Sequence, residues 1–220
     1  MKILTIHGIE KEFIIDNGLI YCINIENRNF YLSILDSFMN ADSTKIFYAE
    51  NNELLDLNKK MLIITDLYNI SPNNKKILNN LYKRISEKMI NQKINDFIQN
   101  TNQQMISILE EISLNLNLSI DYELDLDITK ILNLYKFCFK ENSSTIIDRI
   151  ITYVKANVEI MNLSFVVSFN IIQLLNSEEI YLLQKELELL NLSLINFNFV
   201  GKNINKIVNY TTIDDDLCEY

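Results

Sequence analysis

Glycine and proline are nearly absent from this chain, with 3 Gly and 1 Pro in 220 residues. Tight loops that need positive φ, or that bring bare backbone against a phosphate, are correspondingly scarce. Gly8, Gly18 and Gly201 are isolated, and no Gly-x-x-x-x-Gly-Lys-Ser/Thr occurs, so a working nucleotide site lacks its phosphate cradle. His7 is the only histidine and, near a first strand, is most simply structural. No Gly-x-Ser-x-Gly and no Cys-His pair supports nucleophilic catalysis. Cys22, Cys138 and Cys218 are odd in number, widely spaced and without a Cys-x-x-Cys pair, which fits a reducing cytosol better than a disulfide frame. Tryptophan is missing, no apolar run reaches the length of a bilayer span, and the first residues do not resemble a signal peptide. The expectation is a cytoplasmic protein without a membrane segment.

What is present is a large apolar complement, 48% hydrophobic with 11 Tyr and 11 Phe, enough for one substantial core or a core plus a protruding subdomain. The net charge is -9, with a pI near 4.7, and a uniformly acidic surface would repel nucleic acid and anionic lipid. The charge is segregated, however. Residues 73–95 carry Lys75, Lys76, Lys83, Arg84, Lys88 and Lys93 against Glu87, and residues 130–155 carry Lys130, Lys136, Lys140, Arg149 and Lys155 against Glu141 and Asp148. Residues 105–128 hold acids and no base, and Asp214, Asp215, Asp216 and Glu219 leave the C-terminal end negative. A basic surface can therefore coexist with an acidic total. With few arginines, such a surface suits phosphate contact better than base readout.

The opening reads as strands at 2–6, 13–15 and 19–25, with Asp16-Asn17-Gly18 as a hairpin turn, then a helix with Phe30, Leu32, Leu35, Phe38 and Met39, and a strand at 44–49. Continuous apolar runs at 60–66 and 163–170 fit strands buried on both faces, as in a parallel sheet. Between them the spacing is helical. Ile77, Leu78, Leu81, Tyr82, Ile85 and Met89 make one stripe, with lysines 75, 76 and 83 along one border and Arg84 and Lys88 along the other. Further helices are expected at 103–115, 127–140 (placing Cys138 in the core) and 145–161, then a helix at 177–191 and strands at 192–200 and 206–212. The expected architecture is α/β: a head of residues 1–70 and 163–220, and a long α-helical leg insertion of residues 71–162.

Two features carry possible chemistry. Asp66 ends one buried strand, in a position reminiscent of the magnesium-holding acid of P-loop NTPases, and Asn170 ends the other like a phosphate sensor. Without a phosphate loop, the simpler reading is that both residues end strands at loops. The second feature is Asp121-Tyr122-Glu123-Leu124-Asp125-Leu126-Asp127, whose carboxylates alternate with no base before Lys130. In an extended run all four share a face. If a helix starts inside the run, Asp121/Asp125 and Glu123/Asp127 are each spaced one turn apart. Two readings fit: a solvated helix N-terminus capped by Asp127, or a site for a hard divalent cation such as Ca²⁺. Clustered carboxylates also leave open a metal-dependent nuclease using Asp66, Glu123 or Asp125.

The chain resembles the ring-forming, DNA-end-binding accessory protein family of type II-A CRISPR adaptation. The resemblance rests on Leu62-Ile63-Ile64-Thr65-Asp66-Leu67 with Asn69 and the helix at 78–89, and on Glu123-Leu124-Asp125-Leu126-Asp127-Ile128-Thr129. It also rests on Thr145-Ile146-Ile147-Asp148, on residues 165–170 before Ser177-Glu178-Glu179, and on Ile213-Asp214-Asp215-Asp216. It implies a P-loop-NTPase-like head without a functional phosphate loop, an α-helical leg, and a homotetrameric ring that threads double-stranded DNA from its ends and slides on it. It implies a non-catalytic, sequence-neutral role in spacer acquisition, beside the CRISPR integrase and effector nuclease. Glu123, Asp125 and Asp127 carry over as calcium ligands, with Asp121 a weaker candidate and a shorter Asp125–Asp127 spacing than the family's. Lysines line the family's ring hole. The candidates here are Lys130, Lys136 and Lys140 behind the acidic segment, and Lys83, Arg84 and Lys88 on the basic helix. The alternatives are a metal-dependent nuclease or nucleoside-triphosphatase of the same system, or a pure protein scaffold.

Overall fold

A computed structural model describes residues 1–16, 18–68, 70–116, 121, 126–140, 145–199 and 209–220. In chain order the strands are β1 (Lys2–Ile6), β2 (Phe13–Ile14), β3 (Ile20–Ile25), β4 (Ile46–Glu50), β5 (Glu53–Leu54), β6 (Met61–Ile64), β7 (Phe165–Phe169), β8 (Ser193–Phe199) and β9 (Asn209–Ile213). The helices are α1 (Arg28–Met39), α2 (Leu57–Lys60), α3 (Lys75–Lys88), α4 (Gln92–Leu114), α5 (Ile128–Leu134), α6 (Ile146–Ile160) and α7 (Ser177–Leu189). They form two units: Met1–Pro72 with Glu141–Tyr220, and Asn73–Lys140.

The first unit is a mixed α/β fold built on a parallel sheet in the order β6-β7-β8-β3-β9. Its register sets Met61 beside Phe165, Phe165 beside Ser193, and Ile20 beside Leu194. Both faces are covered, which is why β6 and most of β7 are apolar without alternation. One face presents Ile23, Ile25, Phe165, Val167, Phe169 and Phe197 to α1 and to a small antiparallel sheet, β2-β1-β4-β5. The other presents Ile20, Leu62, Ile64, Val166 and Leu194 to α6 and α7. Burial of each such side chain contributes about 1.5–3 kcal/mol. Helix α7 starts at a capping box: Asn176 accepts from Glu178 and Glu179 N–H, and the Glu179 carboxylate accepts from Asn176 N–H.

Four expectations are corrected. Asp16 and Gly18 do not flank a hairpin, because β2 pairs with β1 while β3 joins the parallel sheet. Gly18 takes φ +72 and donates its N–H to the Leu192 carbonyl at 2.9 Å, and a Cβ there would lie 3.0 Å from that of Glu188. The helix at 146–160, assigned to the leg by sequence, buries Ile147, Ile150 and Val154 under the parallel sheet, so the units divide at Pro72 and Glu141 and not at 70 and 163. Helix α4 begins well before residue 103, because the Asn91 side chain accepts from Ile94 N–H and caps it. Finally, α5 stops at Leu134, and Cys138 lies outside any helix and is exposed. Cys22 is the buried cysteine, and all three are free.

Candidate nucleic-acid interface

In the second unit, α3 is capped by Asn74, which accepts from Ile77 N–H, and it buries Ile77, Leu81 and Tyr82. Lys75, Lys76, Lys83 and Lys88 remain exposed, while Arg84 is half-buried. Lys83 lies 3.8 Å from Glu87 across one helical turn, an exposed pair that leaves the lysine its charge in solution. Helix α5 packs on α3 through buried Leu132. Past its C-terminus the chain turns back: Phe137 N–H donates to the Leu132 carbonyl at 2.9 Å while Lys136 takes φ +48, a left-handed stop of the kind glycine usually supplies.

Two side chains, one on α3 and one just before it, hold residues 137–139 in place. The Tyr82 hydroxyl donates to the Phe137 carbonyl at 2.6 Å. The Asn73 amide both donates to the Phe139 carbonyl at 2.9 Å and accepts from its N–H at 2.8 Å. Lys136 and Lys140, both exposed, are therefore carried on a strap pinned to α3, with Lys130 exposed on α5. The structure thus gathers the sequence-predicted residues Lys83, Arg84, Lys88, Lys130, Lys136 and Lys140 onto two packed helices and this strap.

The acidic segment is described only in part, since Glu123 and Asp125 lie outside the described residues. Asp127 is the cap that the sequence suggested: its Oδ1 accepts from Lys130 N–H at 2.7 Å. It also lines a depression of about 460 Å³ with Ser86, Ile90, Asn95, Ile98, Gln99, Leu126, Ile128 and Thr129. Asp121 is exposed. Among the described residues no group of three or more His, Cys, Asp or Glu side chains could hold a metal. The donor chemistry of the segment, oxygen from carboxylates, suits a hard divalent cation.

Helix α4 has no buried residue and exposes Phe97, Met105, Ile108, Leu109, Ile112 and Leu114. The sequence spacing marked a helix here but gave no sign that its apolar side chains would be exposed.

In the first unit the strand-end residues Asp66 and Asn170 line one cavity of about 560 Å³, together with Tyr31, Leu67, Phe169 and Arg149. Asp66 Oδ1 accepts from Tyr68 N–H at 2.7 Å, closing a turn. Asn170 takes φ +58. Sequence reasoning met both residues as isolated strand ends, and only the β6–β7 pairing puts them side by side.

No helix among the described residues is long and apolar enough to cross a membrane. A family model for the CRISPR-associated protein Cas_Csn2 matches residues 38–217 of this chain. No curated protein matches it. Among solved structures it is similar to a Pyrococcus furiosus chain described as the ATP-binding protein of an ABC transporter, at 13% identity and a TM-score of 0.40, covering 98% of this chain and 98% of that chain.

Proposed function

The chain belongs to the CRISPR-associated Cas_Csn2 family, whose match spans well over half of its length, and from that premise we propose a non-catalytic clamp on the ends of double-stranded DNA. In this reading it serves spacer acquisition in a type II-A system, beside the integrase and the effector nuclease. The first unit is a P-loop-NTPase-like head that has lost its phosphate loop, and the second is the helical leg. Family membership is the observation that carries the reading, and the side-chain arrangement is consistent with it physically.

A subunit of net charge -9 holds a polyanion only where its basic residues are concentrated. Lys83, Arg84 and Lys88 on the two borders of the buried α3 stripe, with Lys130 on α5 and Lys136 and Lys140 on the strap, would supply such a concentration, and closed symmetry around one axis multiplies it. Lysines that contact phosphate without base edges give sequence-neutral binding that weakens steeply with salt. The uncovered stripe of α4 offers apolar surface for self-association into the homotetrameric ring. Glu123, Asp125 and Asp127, with Asp121 as a further donor, would hold calcium. When bound, the ion neutralises carboxylates that otherwise repel one another or a neighbouring subunit.

The test compares linear and covalently closed DNA incubated with the protein in Ca²⁺ or Mg²⁺. A clamp retards the linear form, leaves its length unchanged and spares the closed form. Shortened DNA would establish a nuclease, and no retardation of either form would leave a scaffold. Chelation of calcium should move the protein from a tetramer to smaller species on a sizing column, and an unchanged elution volume would remove the cation from the assembly.

A further inference from the structure

The cavity at the carboxyl ends of β6 and β7 has a polar inventory that the clamp reading does not use. It lies where ligands bind in open parallel sheets, and its volume of about 560 Å³ is that of a small-molecule site. Most of its wall is apolar: Leu35, Leu67, Ile146, Phe169, Ile171 and Leu174. Its polar groups are mainly donors. Arg149, in the first turn of α6, makes no side-chain hydrogen bond or ion pair among the described residues.

The orientation of Asn170 sets the second donor. Phe199 N–H donates to Asn170 Oδ1 at 2.9 Å, which fixes the side-chain amide with its NH₂ toward Tyr31. That NH₂ donates to the Tyr31 hydroxyl oxygen at 2.8 Å. The oxygen is thus an acceptor already in use, and its hydrogen has no acceptor among the described residues. Burial raises the Tyr31 pKa, against the lowering effect of the Asn170 hydrogen bond, so the hydroxyl keeps that hydrogen at neutral pH. The one carboxylate on the wall, Asp66, already accepts the Tyr68 N–H.

We infer that this cavity is a binding site for a small organic anion: an apolar or aromatic body against Phe169, Leu67 and Leu174, and a carboxylate- or phosphate-type group accepting from Arg149 and the Tyr31 hydroxyl. The inference is independent of DNA binding.

The probe is the aromatic anion anilinonaphthalene sulfonate, compared by fluorescence titration with its uncharged analogue N-phenylnaphthylamine. The sulfonate should bind saturably, about tenfold or more tighter than the neutral analogue, as expected for a charged hydrogen-bonded group. Arg149→Gln should reduce its affinity to that of the neutral compound, and Arg149→Lys should restore part of it. Tyr31→Phe should weaken it severalfold while the ring keeps its packing. Asp66→Asn should bind it at least as well, because a like charge leaves the wall. Each variant is checked for unchanged far-UV circular dichroism. Equal binding of the two probes, or full binding by folded Arg149→Gln, would overturn the assignment. Loss of binding in Asp66→Asn would also overturn it, since the site would then select a cation. Displacement by inorganic sulfate at matched concentration would mean an adventitious ion only, again overturning it.

Discussion

Asn196→Leu should be among the most damaging single changes in the first unit, although it replaces a polar residue by an apolar one of similar size. Asn196 is 0% exposed in the middle of β8. Its Oδ1 accepts from Ser168 Oγ at 2.8 Å, Ile171 N–H at 3.2 Å and Ile172 N–H at 3.4 Å, and its Nδ2 donates to Asn198 Oδ1 at 2.8 Å. Its Nδ2 also donates weakly to Cys22 Sγ at 3.9 Å, and leucine removes all five partners. A buried polar group left without a partner costs about 1–3 kcal/mol. The Ile172 and Cys22 bonds are long, and the Ser168 hydroxyl can rotate, so the predicted loss is about 3–5 kcal/mol rather than the full sum. Against a total stability of roughly 5–15 kcal/mol, that is a large fraction. Urea unfolding followed by far-UV circular dichroism should show the midpoint falling by roughly 1–2 M at an unchanged slope. Ser168→Ala removes one stranded donor in advance, so the double variant should be less damaged than the sum of the singles by about 1 kcal/mol. A loss below about 1 kcal/mol in Asn196→Leu, or strict additivity with Ser168→Ala, would refute the account of the network.

Ile150→Ala should cost about 2–5 kcal/mol in the same unfolding assay, because Ile150 is 2% exposed beneath the parallel sheet. Burial pushes the Cys22 thiol up to about 12, against the lowering contact from Asn196. Maleimide at neutral pH should therefore label exposed Cys138 and Cys218 and spare Cys22. The linked stability is present below the unfolded thiol's value and is lost as pH rises toward 12, at up to about 1.4 kcal/mol per pH unit. Cys22→Val should flatten its share of that alkaline decline. Glutamine at Lys83, Lys88, Lys130, Lys136 or Lys140 should weaken DNA binding equally across sequences, and each phosphate thereby released should lower the slope of log affinity against log salt by about 1.

Much of the fold was legible because two-sided burial leaves a plain mark. The runs at 60–66 and 163–170 have no alternation, and both became neighbouring strands of a parallel sheet covered on both faces, β6 at its edge and β7 inside it. The Asn198 and Asn196 positions show where that rule stops. Ile195-Asn196-Phe197-Asn198 alternates like a strand with a wet face, yet both asparagines are 0% exposed. The amides are held by one another, by Ser168 and by Asn24, partners from β7 and β3 whose proximity depends on the register of distant segments. The turn at residues 16–18 failed for a similar reason: local turn chemistry names a reversal but does not say which sheet receives the next strand. Arg149 was visible as a charge, but its place on one cavity wall with Asn170 and Tyr31 rests on three separate segments meeting at the carboxyl ends of β6 and β7.

The basic face shows most clearly how a misread boundary changes a functional argument. As one continuous helix over 127–140, Lys136 and Lys140 would share a face set by 100° steps, independent of α3. The observed stop at Leu134 hands their placement to Tyr82 and Asn73 instead. Tyr82→Phe keeps the buried ring and every positive charge while deleting the 2.6 Å bond to the Phe137 carbonyl, a loss of about 1 kcal/mol. If Lys136 and Lys140 contact phosphates from a fixed strap, that change should weaken binding to linear DNA and raise the rate of proteolysis within 135–140, with the net charge untouched. Binding as tight as in the parent chain, alongside faster cleavage of the strap, would separate these two lysines from the interface and leave α3 and Lys130 to carry it.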